Sequence, residues 1–364
     1  MQNLFRRKQV SDILKQIEQN ELSDGHVGLR KHLKVRDLTA FGIAAIIGAG
    51  IAGLSCAGEL EAHGFAVTLF DKSKGVGGRM SHRYFGDWEA DHGAQYFTAR
   101  DALFKEEVAQ WVEAEVAKPW SGRIVTFNHG NTVDKPSDAT RYVGIPAMTS
   151  PAKYLANRLQ VLTQHTVVDV HRINDLWKIT TKEHGQLPEA FEYLVLAIPS
   201  VQAERLIGKY SANLKAICQE VVMLPCWTLL AYLKEPLHLA FDGAFVEGSV
   251  FSWLARDNSK PNRPVYETWV AQASHAWSAA HVDHTQFEIE PILIKGFQEL
   301  TGVEPDLHQS HLWRYAKLEQ PNEREFALDP SIAVGMCGDW LKNSTVEGAW
   351  LSGYRLAQQL KQTL

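Results

Sequence analysis

Three glycines, Gly48, Gly50 and Gly53, stand at GxGxxG spacing in Ala45-Ile-Ile-Gly-Ala-Gly-Ile-Ala-Gly53. An apolar run leads into them. A helix-like stretch follows to His63 and is stopped by Gly64. A second apolar run, Phe65 to Phe70, then ends on an acid, Asp71. The chemistry this pattern serves is dinucleotide binding. Gly48 permits the tight turn, Gly50 lets the backbone approach a pyrophosphate, and Gly53 lets the helix pack on the strand. The helix N-terminus presents free N–H groups and its positive end to the phosphates, and Asp71 can accept from a ribose hydroxyl. A lone GxGxxG is a weak signal; the strand, helix, second strand and terminal acid around this one make it specific.

Further groups of the same kind lie downstream. Lys72-Ser-Lys-Gly-Val-Gly-Gly-Arg-Met80 places Gly77 and Gly78 for close backbone approach, and the guanidinium of Arg79 offers a fork of donors to a pyrophosphate. Ala90-Asp-His-Gly-Ala-Gln-Tyr-Phe-Thr98 sets small residues, Gly93 and Ala94, beside an amide, Gln95. That suits a backbone lying against a flat ring, with the amide bonded to the ring. Near the C-terminus a strand ends in Gly338-Asp339, whose acid can take a ribityl hydroxyl. Ser344 or Thr345 can cap the helix that follows, and its first turn, Val346, Glu347, Gly348 and Ala349, can point its positive end at a flavin edge. A second glycine cluster after the first acid favours FAD over a simple nicotinamide cofactor. Ile51 and Ala52 in the turn, Lys72 beside Asp71, and Val168 in the strand-like Val167-Val-Asp-Val170 complete the expected FAD contacts.

There is no second GxGxxG unit, so an electron donor has to bind directly over the flavin. Trp227, Trp313 and Tyr315 are the candidate substrate-pocket residues, with packing in the core as the competing reading for each. Hydride transfer to a flavin is the cofactor's own chemistry and needs no protein nucleophile. No catalytic acid or base is named. His92 lies in a cofactor motif, while His275, His281 and His284 read as solvent-facing. The four cysteines, Cys56, Cys218, Cys226 and Cys337, are scattered without a CxxC pair. They read as reduced thiols in a cytoplasmic protein, and no metal site is expected. A net charge of −5 suggests no nucleic-acid partner.

The supporting elements read as α/β. With 364 residues and 45% hydrophobic content the chain can bury a large core. Expected helices run from Asp101 to Ala117, from Ser150 to Leu162, from the end of the buried strand Glu192 to Pro199 on to Ile207, and from Gln286 to Thr301. Val167 to Val170 and Trp177 to Thr180 alternate as strands. Trp227 to Leu233, Val250 to Ala255, Glu267 to Ala273 and Leu307 to Tyr315 are β-rich runs with aromatics, which suggests an antiparallel sheet roofing the cofactor. The expected organisation is a Rossmann-type FAD-binding domain of parallel strands and helices from 43–100, 150–210 and 330–364, and an antiparallel-sheet substrate domain from 101–149 and 211–329. Residues 1–42 form an extension, loosely ordered or helical around Ser11 to Gln19, without catalytic role. Leu38 to Ala57 is uncharged and long enough to span a membrane, but the βαβ context assigns it to the first strand and glycine turn. No membrane partner is expected.

Two family resemblances follow from particular residues. Ile46-Ile-Gly-Ala-Gly-Ile-Ala-Gly-Leu-Ser55, Asp71-Lys-Ser-Lys-Gly-Val-Gly-Gly-Arg-Met80, Asp91-His-Gly-Ala-Gln-Tyr-Phe-Thr-Ala-Arg100, Trp253-Leu-Ala-Arg256 and Cys337-Gly-Asp-Trp340 with Val346-Glu-Gly-Ala-Trp-Leu-Ser-Gly353 resemble the bacterial renalase family, within the amine-oxidase-like FAD superfamily. The likeness runs from about Ile46 to the C-terminus. It implies oxidation of the 1,2- and 1,6-dihydro isomers of NAD(P)H to NAD(P)+, with hydride passing to flavin N5 and O2 giving H2O2. Pro146-Ala147-Met148 departs from the family, where glycine more usually precedes the methionine. Leu4-Phe-Arg-Arg-Lys8, Gly28-Leu-Arg-Lys-His-Leu33, Asp37-Leu-Thr-Ala40 and Gly42-Ile-Ala-Ala-Ile-Ile-Gly-Ala-Gly-Ile51 resemble the N-terminus of a cationic amino-acid permease. The chain thus reads as a chimera joined near the glycine turn. The competing readings are a flavin amine oxidase or desaturase-like enzyme on another small substrate, and an inactive fusion product.

Overall fold

The computed structural model describes residues 42–128 and 130–362. The N-terminal extension and its permease-like segments lie outside the described residues, apart from Gly42 to Ile51. The Rossmann core begins with β1 (Ile43–Ile47), α1 (Ile51–Ala62) and β2 (Ala66–Phe70). β1 and β2 pair in parallel, from Ile43 opposite Ala66 to Ile47 opposite Phe70. Both are nearly continuous buried apolar runs, as strands covered on two faces must be. The hairpin β3 (His82–Phe85) and β4 (Trp88–Asp91) follows. Next come α2 (Ala102–Glu113), β5 (Ala117–Pro119), β6 (Ile124–Asn128), β7 (Asn131–Asp134), β8 (Tyr142–Gly144) and α3 (Ser150–Ala156).

Two expected helices are shorter than their periodicity suggests. α2 ends at Glu113, and Ala117–Pro119 pairs as a strand with Tyr142–Gly144. α3 ends at Ala156, and β9 (Gln160–Leu162) joins β2 at Thr68 to Phe70. In both cases backbone partners on neighbouring strands outcompete local helix propensity. α2 also shares one core with α1 and the C-terminal helix, with Phe104 against Trp350 at 5.7 Å between ring centroids. The strands β6 and β7 that follow α2 join the roof sheet instead.

β10 (Val167–Ile173), β11 (Leu176–Thr181) and β12 (Gly185–Gln186) form a small antiparallel sheet. β13 (Tyr193–Leu196) returns beside β1, and α4 (Ser200–Ile207) and α5 (Ala212–Gln219) cover it. The roof is assembled from β14 (Met223–Leu233), β15 (Gly243–Glu247), β16 (Phe251–Arg256), β17 (Glu267–Ala273) and β18 (Leu307–Leu318). Its strand order is β18-β14-β17-β16-β15-β6-β7, antiparallel except for the β15–β6 pair. α6 (His275–Ala280) and α7 (Gln286–Thr301) pack beside it. A reciprocal capping box between Thr285 and Glu288 starts α7, and a left-handed Gly302 stops it. β19 (Ala327–Asp329), β20 (Val334–Met336) and α8 (Val346–Gln362) complete the chain. The Rossmann sheet runs β19-β20-β13-β1-β2-β9, parallel throughout except for β19. None of the described helices is long and apolar enough to cross a membrane.

α8 brings the C-terminus to the first glycine turn. Its Gly353 lies against the Ala52 carbonyl of α1, where a Cβ would collide with backbone. Ser352 Oγ meanwhile accepts from Gly338 N–H at 2.9 Å, and Ser55 Oγ donates to the Trp350 carbonyl at 2.9 Å. Gly58, on the same helix α1, is exposed and has nothing within 4 Å of a Cβ position. Gly353→Ala should therefore cost about 2–3 kcal/mol through overpacking, and Gly58→Ala should add about 0.5–1 kcal/mol. Urea unfolding of the two variants checks this; equal effects at the two positions would show that α1 and α8 are not in this contact.

Candidate dinucleotide site and its roof

The glycine cradle is built from two motifs in direct backbone contact. Gly77 N–H donates to Ala49 C=O at 2.9 Å, and Gly50 and Gly77 form a parallel bridge. Gly48 turns at a φ of +106°, and a Cβ there would run into the Ala197 carbonyl. Gly50 is different. It lies at φ −77° and ψ 179°, and a Cβ there would meet only Gly78 Cα at 3.9 Å. The space beside it is open. Gly50 caps α1 without a side-chain hydrogen bond, and no acid occupies the first turn. The N–H groups of that turn, including Ile51, Ala52 and Gly53, are thus left to face a negatively charged ligand.

Asp71 stands at the end of β2 as expected, but its oxygens are already engaged. Oδ2 accepts from Ala49 N–H and Oδ1 from Ser73 N–H, both at 2.8 Å. The carboxylate rigidifies the turn and keeps further lone pairs for a ribose hydroxyl. Lys72 is exposed beside it. Val168 is 52% exposed and is skipped by the β10–β11 register, which steps from Val167 to Asp169. Asp339 lies at the far end of the cradle and pairs with Arg79, which also donates to Tyr315 C=O at 3.3 Å and Ala316 C=O at 3.1 Å. Arg79 therefore links the Rossmann domain to β18, and Gly338 precedes it at the end of β20.

Three expected roles are corrected by the geometry. Gln95 is turned into the protein: its NH2 donates to the Asp91 carbonyl at 2.6 Å and its Oε1 accepts from Lys260 Nζ at 3.1 Å. The buried ammonium draws the amide away from any ring. The Glu347 side chain accepts from the backbone N–H of Arg100 and Asp101 at 2.6 and 2.7 Å and so anchors the start of α2. Thr345 Oγ1 caps α8 by accepting from Gly348 N–H at 2.9 Å, with Val346 and Ala349 half-buried beside it. Trp227 is buried in the roof core with Nε1 donating to His281 C=O at 3.1 Å. The strand pleat explains this, since the neighbouring Thr228 takes the other face. His275 and His281 are half-buried, each with Nδ1 on a backbone carbonyl, and only His284 of the three is exposed.

Trp313 shares a face of β18 with His311, two residues before it, whereas the register with β14 breaks between Trp313 and Lys317 and Tyr315 is placed only by its carbonyl, which accepts from Arg79. Trp313 Nε1 donates to the His92 carbonyl at 2.9 Å, and its ring lies 4.9 Å from the His92 ring and 4.6 Å from that of His311. Ser81 Oγ is 3.2 Å from His92 Nδ1, and Arg83 Nη2 is 3.3 Å from His311 Nδ1. Burial, with His311 and Arg83 close by, pushes the His92 imidazole down to about 3. Burial, with Arg83 and Lys72, pushes His311 down to about 4. Both rings are neutral at ordinary pH. Sequence reasoning missed Arg83, His311, Thr228 and Gln272. Arg83 follows directly on the Gly-Gly-Arg stretch and alternation along β18 links 311 to 313, but cross-strand register is invisible in one sequence.

Behind this loop lies a buried ionic cluster. Asp91 Oδ2 accepts from Lys260 Nζ at 3.0 Å and from Arg263 Nη2 at 2.6 Å, while Lys260 also reaches Asp257 Oδ1 at 2.6 Å. Asp91 Oδ1 takes His82 Nδ1 at 2.8 Å and Met148 N–H at 2.9 Å. Burial alone would raise the Asp91 carboxyl, but Lys260 and Arg263 hold it well below the usual range. Arg263 also donates to the Pro146 carbonyl, so Pro146-Ala147-Met148 is tied to the same cluster. All four cysteines are buried free thiols, and among the described residues no group of three His, Cys, Asp or Glu side chains is placed to hold a metal ion.

Two outcomes follow. Gly48→Ala should prevent folding, whereas Gly50→Ala should leave the fold intact and fill the space a phosphate needs. Soluble Gly50→Ala protein should bind FAD at least about tenfold more weakly, as one lost charge-assisted contact implies. Visible absorbance and fluorescence titration measure it, and wild-type affinity would remove this cradle from the cofactor site. The second concerns acid. His92 holds its proton less readily folded than unfolded, so its contribution is complete above the unfolded value of 6.5 and is lost as pH falls towards about 3. The slope is about 1.4 kcal/mol per pH unit. His92→Gln should flatten the pH dependence of urea unfolding between about pH 4 and about pH 6.5; parallel curves would contradict a neutral buried His92.

Comparisons with known proteins agree with this geometry. The model of the NAD(P)-binding Rossmann-like domain family matches residues 46–109. A 4,4'-diapophytoene desaturase (4,4'-diaponeurosporene-forming) of Staphylococcus haemolyticus (strain JCSC1435) is 36% identical over 78 residues, which is 21% of this chain and 16% of the desaturase. Among solved structures, a protein of Exiguobacterium sp. 255-15 provisionally assigned as a protoporphyrinogen oxidase superposes with a TM-score of 0.72 at 11% identity, over 90% of this chain and 100% of that one. Cyclohexylamine oxidase from Brevibacterium oxydans IH-35A gives 0.70 at 12% identity, over 88% of this chain and 99% of that one. The chain therefore has the α/β fold of these oxidases, with a Rossmann dinucleotide-binding domain at its glycine cradle.

Proposed function

We propose that the chain is an FAD-dependent oxidase of 1,2- and 1,6-dihydro isomers of NAD(P)H. One observation carries the choice of substrate. The roof face over Gly93 is neutral and aromatic, and its border is cationic. His311 and Trp313 line it, Arg83 bonds His311, and Lys72 acts on the same imidazole, while Arg79 nearby is paired with Asp339. An ammonium substrate would be repelled by this border, whereas a flat neutral ring carrying phosphates suits it.

Bound FAD supplies the hydride acceptor, and O2 restores it with release of H2O2. The overall reaction is dihydronicotinamide plus O2 and a proton, giving the nicotinamide cation and H2O2. The chain's own residues position the ring and exclude water. Trp313 and His92 present aromatic faces, and the neutral histidines themselves add no positive charge against the product cation. Gly48, Gly50, Gly53, Gly78, Arg79 and Asp339 would hold the cofactor.

The full chain should purify yellow. Mixed anaerobically with 1,2- or 1,6-dihydro-NAD, its flavin band should bleach, and air should restore it with stoichiometric H2O2. Full flavin that neither isomer bleaches would sink this reading. Bleaching by amines or by polyene hydrocarbons instead would support the amine-oxidase or desaturase-like alternative, and colourless protein would indicate an inactive fusion.

A further inference from the structure

The roof carries a row of polar side chains that the fold alone does not explain. Thr228 stands opposite Gln272 on β17 and opposite His311 on β18 in the ladder. Directly opposed residues of antiparallel strands share a face, so the three side chains form one line across the sheet. Contacts on either side fix which face it is. Gln272 Nε2 donates to the Gly93 carbonyl at 2.7 Å, and the His311 ring lies 5.0 Å from that of His92. The row therefore looks onto the Gly93 loop, beside the site assigned above.

The donor and acceptor character of each group is determined. A carbonyl only accepts, so the Gln272 NH2 is committed to Gly93 and its Oε1 is the free acceptor. A guanidinium only donates, so His311 Nδ1 accepts from Arg83 and the proton of the neutral ring is on Nε2. Between them, Thr228 Oγ1 is buried with no nitrogen or oxygen partner, only the Cys226 thiol interacting with it. A buried hydroxyl without such a partner costs about 1–3 kcal/mol. The adjoining strand adds a second such group, Trp253 Nε1, on a ring 5.6 Å from Tyr96.

We infer that the row Gln272, Thr228 and His311 reads a primary carboxamide on the substrate ring. The amide NH2 donates to Gln272 Oε1, and the amide carbonyl accepts from His311 Nε2–H and Thr228 Oγ1–H. An ammonium could donate to Gln272 Oε1 and Thr228 Oγ1 but would leave the His311 Nε2–H without an acceptor, and an unsubstituted hydrocarbon would use none of the three. This inference rests on the dihydronicotinamide reading and deepens it, since it names what selects one flat ring from another.

The test uses the flavin-loaded full chain and two substrates, a dihydronicotinamide isomer and its 3-acetylpyridine analogue, which keeps the carbonyl and lacks the NH2. Wild type should favour the carboxamide in kcat/KM by about 100-fold, the order expected when a buried acceptor is left unpaired. Gln272→Met should bring that ratio to within about threefold of unity, with the flavin spectrum intact. Thr228→Val should lower kcat/KM about tenfold for both substrates while the melting temperature holds or rises, because the buried hydroxyl removed has no nitrogen or oxygen partner to lose. Thr228→Ser should restore activity. An unchanged ratio in Gln272→Met, or unchanged kcat/KM in Thr228→Val, would overturn the inference even if wild type oxidises both rings. Wild type that oxidises neither would overturn the dihydronicotinamide reading itself.

Discussion

The buried cluster of Asp91, Asp257, Lys260 and Arg263 is the constraint on which the site depends. Four formal charges lie out of water and balance to zero, each paired with opposite charge at 2.6 to 3.7 Å. Desolvating such groups is costly, and removing one partner of a buried pair typically costs about 3–5 kcal/mol. The cluster is therefore an all-or-none device. It joins the end of β4 to the loop after β16, and through Met148 N–H and the Pro146 carbonyl it also holds the loop before α3. These segments meet beneath the roof, and the stretch His92 to Gln95 is suspended between them.

Positioning follows from that anchorage. Gln95 is held by Lys260, the Gly93 carbonyl is held by Gln272, and the His92 carbonyl by Trp313. The loop is thus bonded below to buried charge and above to the sheet. Its side chains and backbone have little freedom left to lose when a ligand arrives, which is how a site is prepared for ordered ring stacking. The dinucleotide end is prepared differently. There, close backbone approach between Ala49, Gly50, Gly77 and Gly78 leaves an open space at an uncapped helix terminus. Arg79 connects the two ends by bonding Asp339 and the β18 carbonyls together.

Much of the scaffold was legible because its signals are local. The glycine spacing, the buried runs flanking it, the helix from Gln286 to Thr301 and the β-rich aromatic runs of β14, β16, β17 and β18 each depend on a few consecutive residues. The failures share a different cause. Trp227 and Thr228 are neighbours, and one residue of pleat decides which faces the site. Gln95 and Glu347 carry suitable groups, yet each is claimed by a stronger partner remote in sequence, an ammonium at Lys260 and the N–H groups of Arg100 and Asp101. α3 stops at Ala156 because the edge of β2 offers hydrogen bonds to Gln160–Leu162 that no helical period announces.

What the chain determines by itself is the dinucleotide signature. A GxGxxG turn works through backbone geometry, and backbone geometry at glycine is written in the residue type. The α/β class and the antiparallel roof follow in the same way from period and spacing. What only the tertiary structure decides is which polar groups are spent and which remain free. Asp91 reads as part of a cofactor motif and proves to be the centre of an ionic cluster, while Thr228, unremarked in the sequence, is left without an oxygen or nitrogen partner beside the site. Hydrogen-bond satisfaction is a property of the folded whole, because each donor or acceptor is claimed by whatever the fold brings within 3 Å of it.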